Sequence, residues 1–79
     1  MYYRIELTLL IGNFKGWEGY VSEGRIARVE GKLKKIFTTT DTVGNAGRFS
    51  FKSARRVVNK CFPIKKGWQA VIVPVNQTP

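Results

Sequence analysis

From Tyr3 to Ile11 every second residue is apolar: Tyr3, Ile5, Leu7, Leu9 and Ile11 alternate with Arg4, Glu6 and Thr8, with Tyr2 in phase with the second set. Successive side chains of a strand point to opposite faces, so this pattern predicts a β-strand with one apolar and one polar face. A sheet with one apolar face needs a second layer to cover it. The strongest candidate for that layer is Phe51 to Cys61, where Ala54, Val57, Val58 and Cys61 recur at i, i+3, i+4 and i+7 and Phe51 lies one turn earlier on the same side. Ser50 is placed to cap this helix at its N-terminus, and Phe62-Pro63 to terminate it.

The rest of the chain reads as strand and turn. Gly12-Asn13-Phe14-Lys15-Gly16 predicts a turn into a second strand starting near Trp17. From Ser22 to Gly31 the residues Ile26, Val29 and Leu33 suit a helical stripe, but Gly24 and Gly31 interrupt it, which favours bent or bulged strand. Lys32 to Thr40 reads as a further strand, and Asp41 to Gly47 as a loop. Trp68 to Val73 is a final β-branched strand whose pairing is expected to lapse at Pro74. The expected fold is therefore α+β in β-β-β-α-β order: one antiparallel sheet of three to four strands with one helix on one face. At 79 residues the chain has room for one such unit, expected to span 1–79 as a single compact domain and to bury about 60–65% of its unfolded surface. A short echo, Lys15-Gly16-Trp17-Glu18 and Lys66-Gly67-Trp68-Gln69, is too brief for a repeat architecture.

Charge is the feature that points toward function. The net charge is +9, which favours a polyanionic partner. Residues 1–41 contribute +2, whereas residues 42–79 contribute +7 from Arg48, Lys52, Arg55, Arg56, Lys60, Lys65 and Lys66, with no acid. On the predicted helix, Lys52, Arg55, Arg56, Asn59 and Lys60 share the face opposite the apolar stripe. Together with Arg48, Lys65 and Lys66 they are the expected contact surface, suited to phosphate oxygens or to an acidic protein surface.

Other chemistries find little support. The chain has no histidine and one cysteine, Cys61, so no intrachain disulfide forms and the usual zinc constellations are missing; no metal and no cofactor are expected. Five carboxylates with no spacing that brings two together argue against an enzyme and a small-molecule substrate. Cys61 falls on the apolar stripe, where a small buried hydrophobe is the default. Gly44-Asn45-Ala46-Gly47 lacks the remaining glycine and the Lys-Ser/Thr of a phosphate loop. Arg4 and Glu6 interrupt any apolar leader and no apolar run reaches about 20 residues, so a soluble, cytoplasmic protein with no membrane contact is expected. Asn76-Gln77-Thr78 matches the glycosylation triplet, read here as chance.

The run Ser50-Phe51-Lys52-Ser53-Ala54-Arg55-Arg56-Val57-Val58, followed by Cys61-Phe62 and an apolar strand, resembles a segment of small phage and mobile-element proteins, including some type I anti-CRISPR proteins. The resemblance implies a compact inhibitor that occupies a surface of a nucleoprotein complex in the host cell, with Lys52, Arg55, Arg56 and Lys60 as the contact residues it carries over. The alternative is a DNA-binding accessory module, similar to the arm-binding module of an integrase, whose sheet enters the groove through Arg25, Arg28, Lys32 or Lys34.

Overall fold

Strand β1 (Tyr2–Leu9) takes the centre of the sheet, and its alternation is realised: Ile5 and Leu7 are buried, Tyr3 and Leu9 half-buried, while Arg4, Glu6 and Thr8 lie on the opposite face. The computed structural model describes residues 1–75, so the Asn76-Gln77-Thr78 triplet lies outside the described residues. Strands β2 (Glu18–Val29), β3 (Lys32–Thr40) and β4 (Trp68–Val75) complete an antiparallel sheet in the order β3-β2-β1-β4. Helix α1 (Phe51–Cys61) packs across one face, giving the expected α+β fold in β-β-β-α-β order.

The two layers meet in a core of Ile5, Leu7, Val21, Ala54, Val57, Cys61 and Phe62. The helix comes so close to β2 that a Cβ on Gly24 would lie 2.7 Å from a methyl carbon of Val57. Phe62, which closes the C-terminus of α1, stacks edge-on against Phe37 (4.7 Å between ring centroids) and Trp68 (5.2 Å). It is therefore a core residue as well as a terminator. At the N-terminus the Ser50 hydroxyl accepts a hydrogen bond from the Ser53 N–H at 3.2 Å, the expected cap.

The stretch from Ser22 to Gly31 resolves into a bulge and a turn. The register slips between Val21 and Glu23, so the residues on the helix side of the sheet change from Gly19 and Val21 to Gly24, Ile26 and Arg28. Ser22 Oγ and Thr38 Oγ1, 2.7 Å apart, tie the bulge to β3. Glu30 (φ 53°) and Gly31 (φ 77°) close a two-residue hairpin with both residues in the left-handed region, which suits the twist of the flanking strands.

Two expectations are corrected. β1 stops at Leu9 rather than Ile11: the Leu10 N–H makes a last bond to the Gly67 carbonyl, in register with the β1–β4 pairing, and Ile11 then leaves the sheet to lie over Gly67, 56% exposed. Pairing also continues through Pro74, which stands opposite Tyr3, to Val75. β4 is an edge strand, so the missing N–H of Pro74 faces outward and interrupts no bond to β1. The Lys-Gly-Trp echo proves to be two matching turns flanking the end of β1: Gly16 and Gly67 both have φ near 90° (93° and 90°), and their tryptophans meet edge-on at 6.3 Å.

Candidate functional site

An α-helix turns about 100° per residue, which places Lys52, Arg55, Arg56, Asn59 and Lys60 within an arc of about 140°. That arc lies opposite Ala54, Val57 and Cys61, the residues buried against the sheet, and all five side chains are exposed. The burial that fixes α1 on the sheet thus dictates which way its cations project. Arg55 also lies over the Phe51 ring, 6.0 Å from the centroid, and Phe51 in turn packs on Tyr3 at 5.3 Å.

Lys65 and Lys66 follow in the 3-10 turn Ile64–Lys66 and are exposed. Lys66 lies close enough to Cys61 to act on its thiol, and so does Lys35 of β3. The charges of Lys35 and Lys66 both act on the Cys61 thiol, and Lys60 lies in the last turn of α1, where a cation complements the helix dipole. Sequence reasoning omitted Lys35. Its alternation with Leu33 and Phe37, which puts it on the helix side of β3, was the available signal.

Arg48 precedes the Ser50 cap of α1 and is exposed. It lines a cavity of about 120 Å³ with Arg4, Val43, Gly44, Ala46, Gly47 and Val75. The residues of the sheet alternative divide as well: Arg25, Lys32 and Lys34 lie on the open face, whereas Arg28 shares the helix side with Leu33 and Lys35.

The two faces of the protein differ in charge. Glu6, Glu18 and Glu23 all lie on the open face, Glu30 is in the β2–β3 turn and Asp41 follows β3. Among the described residues the ion pairs are Arg4–Glu6 (3.0 Å) and Arg25–Glu23 (3.6 Å), both on that open face. Among the described residues the cations of α1 and of the Ile64–Lys66 turn have no ion-pair partner.

Cys61 is 5% exposed, and burial pushes its thiol above the ordinary value, although the positive charges of Lys35 and Lys66 oppose the shift. The neutral thiol is a core group rather than a nucleophile at neutral pH. Among the described residues no three His, Cys, Asp or Glu side chains come together as a metal site, and no helix is long and apolar enough to cross a membrane. No family model matches the chain, and neither a curated protein nor a solved structure does.

Proposed function

We propose that this chain is a non-enzymatic nucleic-acid-binding protein that lays the cationic face of α1 along phosphates, free or carried in a nucleoprotein complex. The observation that carries the reading is the separation of charge: four exposed cations on one helix face without acid partners among the described residues, and three of the five side-chain carboxylates on the opposite side of the sheet. Lys52 to Lys60 spans about 12 Å of helix axis, a length over which duplex DNA presents about seven phosphates. Arg55 and Arg56 supply planar donors suited to paired phosphate oxygens, and Lys60, Lys65, Lys66 and Lys35 extend the field beyond the helix.

Docking the open face of the whole sheet is less favoured, because a polyanion there would meet Glu6, Glu18 and Glu23 together with two arginines already engaged by carboxylates. The resemblance of the Ser50–Phe62 run adds a setting: a phage-encoded inhibitor of host defence, anti-CRISPR-like, acting in the host cytoplasm by occupying a surface that target nucleic acid would use. The test is the double variant Arg55→Glu with Arg56→Glu. Removing two phosphate contacts lowers affinity for duplex DNA by about 60-fold at about 0.1 M salt, before any added repulsion. Unchanged affinity in a folded double variant would refute this placement. Binding to an acidic protein but to no nucleic acid would transfer the face to a protein partner.

A further inference from the structure

The β2–β3 hairpin extends past the part of the sheet that α1 covers. The helix side meets it at Gly24, against Val57, and at Phe37, against Phe62. Beyond those contacts five paired rungs, from Arg25 opposite Ile36 to Val29 opposite Lys32, lead to the Glu30-Gly31 turn. At about 3.4 Å per residue this ribbon reaches roughly 14–17 Å beyond the core. The radius of gyration, 12.9 Å, exceeds the roughly 11.6 Å of a compact chain of this length, consistent with such a projection. Both edges of the ribbon are open: β3 is the outer strand, and β1 pairs with β2 only from Glu18 to Tyr20 because Phe49 occupies its edge at Tyr3.

The ribbon carries Arg25, Arg28, Lys32, Lys34 and Lys35, all exposed. Glu23 engages Arg25, and the other four have no ion-pair partner among the described residues. They occupy both faces, with Lys32 and Lys34 on one and Arg28 and Lys35 on the other. Near the tip Leu33 is 70% exposed and Val29 38% exposed, with no core to cover them.

We propose that this ribbon is a second contact element, which enters the major groove of B-form duplex DNA while α1 holds the neighbouring backbone. The inference rests on the nucleic-acid reading above and narrows its ligand to duplex DNA. The B-form major groove, about 12 Å wide and 8.5 Å deep, admits a two-stranded ribbon, whereas the major groove of an RNA duplex is too narrow. Cations on both ribbon faces meet phosphates on both walls of the groove, and exposed Leu33 and Val29 suit the thymine methyl groups on its floor. Lys35 stands at the root of the ribbon on its helix side, two residues from Phe37, which packs on Phe62 at the C-terminus of α1.

The experiment pairs chemical protection of guanine N7, a major-groove atom, with the salt dependence of binding. The wild-type protein on a duplex DNA is expected to protect N7, and to bind the DNA duplex more tightly than an RNA duplex of the same sequence. The exposed triple variant Arg28→Ala, Lys32→Ala, Lys34→Ala is expected to lose that protection and to flatten the log–log salt slope by about 3. DNA binding without N7 protection in the wild type, or an unaltered slope in the triple variant, overturns the ribbon's role and leaves the helix reading standing. Absence of salt-dependent binding to any nucleic acid overturns both.

Discussion

The position of the cationic helix depends on one close approach, and replacing Gly24 with alanine tests it. Gly24 is not at a positive φ, so on an open strand the change would stabilise the fold by roughly 0.5–1 kcal/mol. Here the added Cβ would stand 2.7 Å and 3.1 Å from the two methyl carbons of Val57, which is 3% exposed in the core stripe of α1. A β-branched residue in a helix has one strongly preferred rotamer, so Val57 cannot swing aside. Overpacking of this kind costs about 1–3 kcal/mol, which leaves a net loss of up to roughly 2.5 kcal/mol. For a domain of this size that lowers Tm by up to roughly 20 °C. Val57→Ala alone costs about 1.5–2 kcal/mol in lost burial. In the double variant the new methyl occupies vacated space, so the two losses fall short of additivity by about 1–2 kcal/mol. Urea unfolding of the four proteins, followed by tryptophan fluorescence, completes the cycle. A Gly24→Ala protein more stable than wild type, or strictly additive losses, would refute the packing argument.

Two further outcomes follow from the core. Phe62→Leu keeps an apolar side chain but loses edge-on contacts with Phe37 and Trp68, about 1–3 kcal/mol in urea unfolding, whereas half-exposed Phe51→Leu, with one ring partner in Tyr3, costs less than about 1 kcal/mol; equal losses would contradict the burial pattern. Burial raises the Cys61 thiol, so the folded state keeps its proton where the unfolded chain has lost it. That contribution is complete below the ordinary thiol pKa of about 8.5 and is lost as pH rises through the folded value. The stability difference between wild type and Cys61→Ala should therefore shrink from neutral to alkaline pH, and a constant difference would be the contrary result.

Most of the architecture was legible because several signals agreed locally. Ser50, the apolar stripe and Phe62-Pro63 all define one helix, and the alternation of β1 defines its layer. The Ser22–Gly31 stretch resisted because its two devices leave weak traces. A bulge at Ser22 adds a residue that no periodicity marks, and Glu30 adopts a positive φ that glutamate seldom takes, so Glu30-Gly31 did not read as a hairpin turn. Pro74 was misjudged because strand order, which decides whether a missing N–H matters, is a tertiary property. For the candidate site, Lys52, Arg55, Arg56 and Lys60 could be grouped from helical spacing alone. Lys35 joins them only once the strands are placed, which puts it on the helix side of β3.

The central claim is that the face of α1 neutralises phosphates, and its most direct test is the salt dependence of duplex DNA binding between about 50 and 300 mM. With about four to seven phosphates neutralised, the log–log slope should lie near −4 to −6, and Arg55→Glu with Arg56→Glu should flatten it by about 2 while the protein stays folded. A shallow slope with binding gone by about 150 mM, or a slope the double variant leaves unchanged, would contradict the account.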